Sequence, residues 1–366
     1  MRCLKSIGVV AMIAFAASAF LNSSSAFAVD FSGKKITALV PFKEGGGMDN
    51  FTRLFAPYFS KYLPGQPTIL VRNMPGGGSI RANNWFQSNA KPDGSIYLGV
   101  AISNQTNFVM GGDKVKYDMR QWEYILNSPQ GWVVLARPET GVKGKNIHDD
   151  ITALRNIQVI EGTKTPASSG LTDFLAFELL GIKNVKPVFG LSTGGRRKAT
   201  LRGELNVNHE TGLVYQKRIT KYVKAGKLVP LMTLGFTDKS GNIVRDPSYP
   251  DIPTIVDAYK AVNGGKMPSG ILWEAYKNLY TMAAMATNGF ALPPKTPKAI
   301  LDVYVGAAKK IMTDKDFLKT AGKTFGNYPV YFGEDARKNY MAAIDISPEV
   351  KTFLKDFISK KYGTNI

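Results

Sequence analysis

Two runs of three consecutive glycines, each following an apolar strand and each opening a helix, constrain this chain more than any other feature. Residues 36–40 (Ile-Thr-Ala-Leu-Val) read as a short buried strand that turns at Gly45, Gly46 and Gly47. Phe51, Leu54, Phe55, Tyr58 and Phe59 then recur at three- and four-residue spacing, which predicts a helix from about Met48. A glycine turn lets the backbone approach a ligand with no Cβ in the way. A helix mouth holding Met48 and Asp49 offers free N–H groups and the positive end of the helix dipole to an anion. The pattern repeats: a strand over 68–73, then Met74-Pro-Gly-Gly-Gly-Ser79 with Gly77 at its centre, then a helix through Ile80, Trp85 and Phe86. Two such loops at strand ends place their backbones in the crevice where open α/β sheets bind ligands. A strand-to-helix turn that binds nothing would carry the same glycines.

Residues 1–28 have the form of a secretory leader: Arg2 and Lys5, an apolar stretch from Ile7 to Leu21, and the cleavage-like Ala26-Phe27-Ala28. An uncleaved membrane anchor would need a longer apolar run. The single cysteine, Cys3, falls inside this leader, so the exported chain is expected to lack disulfides and thiolate metal sites. The formal charge is +19, or +17 without Arg2 and Lys5. An anionic ligand, an anionic surface or mere solubility would each account for that excess. The lysines are scattered and not interleaved with aromatics, which argues against a nucleic-acid partner.

Further along, Lys91-Pro-Asp-Gly94 predicts a turn before a strand over 96–101. The polar run Ser103, Asn104, Gln105 and Thr106 follows directly and reads as a loop forming a third pocket wall, though an ordinary polar loop would look alike. A strand over 132–136 begins a second α/β unit, with the passage near 128–131. In that unit Ser168, Ser169 and Gly170 precede a helix closed by Gly181, a position that suits either a carboxylate or ordinary capping. Ser192, Thr193, Gly194 and Gly195 lead into a basic helix with Arg196, Arg197 and Lys198. His209 lies at the end of a strand beside the expected cleft and His148 in a charged turn; two histidines this far apart, without a carboxylate cluster at ligand spacing, do not make a metal site. No cofactor or metal is therefore expected. The expected architecture is α/β in two domains, 29–131 with 236–366 and 132–235, which hinge about an interdomain cleft.

The stretch Val40-Pro-Phe-Lys-Glu-Gly-Gly-Gly-Met-Asp49 resembles the first signature of the TctC-like solute receptors of tripartite tricarboxylate transporters, the Bug family. Val71 to Gly78, Pro92-Asp-Gly94, Arg245 with Tyr249 to Thr254, and Ala291 to Pro297 match in the family's order, so the resemblance spans about residues 34 to 340. It implies a type II periplasmic-binding-protein fold and capture of an organic acid for a two-component membrane permease; with the leader, it places the chain in the periplasm, and a hinge that must open and close favours a monomer. In the family, the loop matching Phe42, Lys43, Glu44, Gly45, Gly46, Gly47 and Asp49 holds one carboxylate, partly through water. The segments matching Ser103 to Thr106, Ser168 to Gly170, Thr193 and Gly194, and His209 lie on other walls. Lys43 and Glu44, the Arg196 to Lys198 run and the His209-Glu210 pair depart from the family pattern and leave the ligand class open; a segment over 260–272 is longer than expected, with no physical reason for it in the sequence.

A solute sensor feeding a signalling partner would share this sequence. An exported hydrolase would need Ser192 or Ser103 as nucleophile, His209 as base and Asp49 as orienter. No G-x-S-x-G elbow is present to support it.

Overall fold

A computed structural model describes residues 29–238, 242–322 and 327–364; the expected leader lies outside them. The chain opens with β1 (Lys35–Val40), α1 (Gly47–Tyr62), β2 (Thr68–Asn73), α2 (Ile80–Asn89) and β3 (Ile96–Ala101). β1 pairs in parallel with β2 on one side and β3 on the other. Parallel neighbours require helical crossovers, and α1 and α2 supply them. The polar run after β3 is not a loop but a helix, α3 (Ile102–Met110). Asn104 makes this possible by folding its side chain back to accept the Ala101 N–H at 3.0 Å, which satisfies a donor that the helix start leaves free.

β4 (Glu123–Ser128) still belongs to the first sheet, whereas β5 (Trp132–Ala136) belongs to the second. Around β5 are built α4 (Ile147–Arg155), β6 (Val159–Gly162), α5 (Gly170–Leu179), β7 (Val185–Val188), α6 (Thr193–Arg202), β8 (Val207–Thr211) and β9 (Val229–Thr233). The second sheet has the order β7-β6-β8-β5-β9, with β5 antiparallel to both neighbours. After the short hairpin β10 (Phe236–Thr237) and β11 (Ile243–Val244) come α7 (Ile255–Val262) and α8 (Ile271–Tyr280). β12 (Asn288–Leu292) then returns to the centre of the first sheet, antiparallel between β3 and β4. α9 (Lys298–Thr313), α10 (Lys315–Ala321), β13 (Tyr331–Phe332), α11 (Glu334–Ile344) and α12 (Pro348–Tyr362) complete the chain. The first sheet thus runs β13-β4-β12-β3-β1-β2.

The periodic face of α1 is the face that is buried. Phe51 and Phe290 lie 5.1 Å apart between ring centroids, Phe55 and Phe317 4.8 Å, and Phe59 and Tyr97 5.4 Å. Each buried ring contributes about 1.5–3 kcal/mol of transfer free energy, so this aromatic layer fixes α1 on the sheet and with it the glycine turn at its start. The architecture is two α/β lobes, each with its own mixed sheet. No helix among the described residues is long and apolar enough to cross a membrane.

Candidate functional site

A cavity of about 240 Å³ lies between the lobes and is lined from both. On the first lobe the wall is the loop after β1. Asp49, buried in the first turn of α1, accepts the Gly45 N–H at 2.8 Å, the Arg53 Nε–H at 3.0 Å and the Asn73 amide at 3.0 Å. The same Asn73 amide donates to the Phe42 carbonyl at 2.9 Å. Asp49 therefore holds the loop in shape from behind, while Phe42, Lys43, Gly46 and Gly47 face the cavity. The second glycine loop contributes residues 75–79. Its φ values of 149°, 56° and 67° at Gly76, Gly77 and Gly78 explain the glycines, because a Cβ disfavours that region. Ser79 follows at φ 121°, a strained value for a residue with a side chain.

The second lobe supplies most of the titratable side chains. β5, β6 and β8 place Trp132, Glu161, His209 and Thr211 on one face of their sheet, since Trp132 pairs with Thr211 and Glu161 with Val207, two residues before His209. Trp132 stacks on the His209 imidazole at 4.1 Å. Arg196, from α6, donates through Nη2 to the His209 carbonyl at 2.7 Å and through Nη1 to the Gly162 carbonyl at 3.3 Å. Its Nη1 also lies 3.3 Å from His209 Nδ1. Lys164 places its ammonium 5.0 Å from the centre of the Phe42 ring, a cation–π contact across the cleft. Burial, reinforced by the neighbouring Arg196, pushes Lys164 down to about 7. Burial and Arg196 likewise lower His209, which keeps the imidazole neutral.

Apart from His209, the titratable side chains lining the cavity among the described residues are Lys43, Lys164 and Arg196, all of them basic. The buried polar atoms of lining residues that have no protein partner are Trp132 Nε1, Thr165 Oγ1, Arg196 Nε and Thr211 Oγ1, each able to donate a hydrogen bond. Buried donors of this kind are normally satisfied. Such a cavity suits an acceptor-rich, negatively charged molecule smaller than a drug-sized ligand.

Of the residues singled out from sequence, Phe42, Lys43, Gly46, Gly47, Gly77, Ser103, Ser169, Thr193 and His209 line this cavity. Glu44, Gly45 and Gly194 line an adjoining surface groove instead, and exposed Glu44 lies 3.6 Å from Arg53 rather than over the pocket. Asn104 and Gln105 are spent inside the first lobe, on Asn83 and on the Ala286 carbonyl. Thr106 is buried away from the cavity. Ser168 bonds Thr163 and Thr165, and Gly170 packs against Thr163, so both support the wall without facing the cavity. The residues considered for hydrolysis are not assembled. Ser192 Oγ accepts the Gly195 N–H at 3.1 Å as a helix cap, and the carboxylate beside His209 is Asp173, not Asp49.

No protein-family model and no curated protein matches this chain. Among solved structures it is similar to the periplasmic binding protein BugD, with a TM-score of 0.67 at 19% identity, over 92% of this chain and 99% of that one. MatC from Rhodopseudomonas palustris, solved with bound malate, gives 0.61 at 18% identity, over 91% and 99%. An R. palustris protein solved with adipate gives 0.67 at 15% identity, over 91% and 99%. The fold is that of the type II periplasmic binding proteins. In a type II periplasmic-binding-protein fold, Trp132, Lys164, Thr165, Thr211 and Asn288 also belong to the cleft wall of this chain. Lys164 and Thr165 carry no sequence signal of their own, although they stand only a few residues before Ser168, Ser169 and Gly170.

The structure corrects the expectation that His209 has no carboxylate cluster at ligand spacing. Glu161 and Asp173 converge on it, with ligand atoms of all three residues within 4.8 Å of one another. His209 Nδ1 contacts Asp173 and lies 3.4 Å from Glu161. Burial and the neighbouring Asp173 hold the Glu161 carboxyl well above the usual carboxylate range. Arg197 is consumed by a buried two-point ion pair with Glu210, at 2.7 and 2.9 Å. This leaves Arg196 alone of the basic run in the cavity wall.

Proposed function

We propose that this chain is an extracytoplasmic solute-binding protein that captures a small organic anion, a carboxylate, in the cleft and delivers it to a two-component membrane permease. The observation that carries this reading is the sign of the cleft: its ionic lining is Lys43, Lys164 and Arg196, with no carboxylate among the lining residues. The glycine loops add backbone N–H groups on the opposite wall, and Trp132, Thr165 and Thr211 add unpaired donors. Malate in MatC and adipate in a second protein of the same fold support an organic acid as the ligand class. The test is a thermal-shift screen against mono-, di- and tricarboxylates and aromatic acids, followed by calorimetry, because a ligand that binds only the folded state raises the midpoint by mass action. A saturable shift with an acid, lost in Arg196→Met, is expected. A shift confined to cationic or neutral solutes would overturn the reading. Delivery is tested by uptake of the identified acid in cells with and without the gene.

A further inference from the structure

We propose that Glu161, Asp173 and His209 form a binding site for a single divalent transition-metal ion, of the zinc or manganese class, behind the second-lobe wall of the cleft. The three side chains come from β6, α5 and β8 and are almost wholly withdrawn from solvent, at 0%, 1% and 3% exposure. One ligand atom from each lies within 4.8 Å of the other two. In tetrahedral coordination, donor atoms about 2.0–2.2 Å from a shared ion lie about 3.3–3.6 Å apart, so the side chains must turn inward to complete the set. One imidazole nitrogen with two carboxylate oxygens is a donor set that zinc and manganese accept.

The independent observation is Glu161. No N–H or O–H group donates to either of its carboxylate oxygens, although the side chain is fully buried; its neighbours are the Asp173 carboxylate and His209 Nδ1 at 3.4 Å. Buried acceptors in that state are rare and call for an ion, a water or a proton. Arg196 offsets only one of the two carboxylate charges, with its Nη1 3.3 Å from the same His209 Nδ1 that faces Glu161 and Asp173. Its Nη2 is committed to the His209 carbonyl, and its Nη1 can keep the Gly162 carbonyl when Nδ1 turns to an ion. A single proton would neutralise the remaining charge but leave Glu161 with an oxygen still unpaired. One ion meets Glu161, Asp173 and His209 together. An entry path exists, because His209 also lines the cleft. An ion there would tie β6, β8 and α5 together behind Trp132 and Arg196.

The test is the metal content of the purified protein by native mass spectrometry. It is followed by thermal midpoints of chelator-stripped protein with zinc, manganese or magnesium alone and no organic acid present. One ion per chain, a midpoint restored by zinc or manganese but not by magnesium, and loss of both effects in Glu161→Gln are expected. If that variant does not fold, the visible bands of the cobalt-loaded natural protein decide, with low-coordinate nitrogen–oxygen bands expected. Protein that takes up no ion, an ion that remains equally bound in Glu161→Gln, or octahedral aquo-like cobalt bands would overturn the proposal, and the cluster would then be neutralised by a shared proton. None of these readouts depends on the identity of the cleft solute.

Discussion

At the scale of single residues, the cleft separates groups that meet the solute from groups that hold those groups in place. Arg196→Met removes a buried charge-assisted donor worth about 1.5–3 kcal/mol, so roughly a tenfold to hundredfold loss of organic-acid affinity is expected by calorimetry. Lys164 gives the pH dependence. In the empty protein it loses its proton near 7, against an ordinary value of 10.5, so affinity for an anion is expected to fall as pH rises through about 7. Lys164→Met is expected to flatten that profile. Linkage runs the other way for the empty protein: between about 7 and 10.5 the unfolded chain holds the extra proton, so this lysine makes the unliganded fold more stable as pH rises across that window. Asp49 was legible as a helix-mouth residue, but its three partners in Gly45, Arg53 and Asn73 were not. Its role depends on β1 and β2 lying side by side, which no local pattern states.

Among the elements, strands and helices with strong periodicity were legible to within a residue or two. The chemistry carried by isolated polar residues was not. α1 followed from its aromatic spacing, whereas α3 looked like a loop because Ser103 to Asn107 favour turns. Burial inside the first lobe and the Asn104 cap override that preference. β12 carries no strong strand pattern of its own, yet it is the antiparallel strand that completes the first sheet's centre. Its partners are more than 150 residues away in sequence. Glu161, Asp173 and His209 converge from three elements and leave no motif. α10 shows how far one side chain can set an element: Asp314 accepts the Asp316 and Phe317 N–H groups and also binds Lys61 and Tyr62 of α1. Lys61, then Tyr62, hold its carboxyl well below the ordinary 3.8. That contribution is complete above pH 3.8 and is lost as pH falls through the lower folded-state value. In Asp314→Asn the acid limb of the unfolding profile is expected to shallow, as acid titration by circular dichroism would show.

For the whole molecule, the seam between the lobes is built from glycine set against threonine. A Cβ on Gly47 would meet Thr211 at 3.2 Å, and one on Gly78 would meet Thr165 at 3.1 Å. Gly46 faces Thr193 at 3.6 Å. The glycines of the first lobe thus provide clearance for the second as well as backbone donors for a solute. Gly47→Val is expected to leave the unfolding midpoint within a few degrees while weakening solute binding and enlarging the radius of gyration by X-ray scattering. Gly47→Val with Thr211→Ala is expected to recover much of the affinity; failure of the pair to recover would show that the glycine acts only locally. The glycine runs were plain in the sequence, but their threonine counterparts lie more than 80 residues further on and became visible only across the cleft. Trp132, stacked on His209 at the cavity edge, has one more consequence. Its indole is set against the groups that would respond to an arriving solute or ion, so the intensity and wavelength of its emission give the protein a built-in optical signal. A Trp132→Phe variant would identify that signal against the light of Trp85, Trp122 and Trp273.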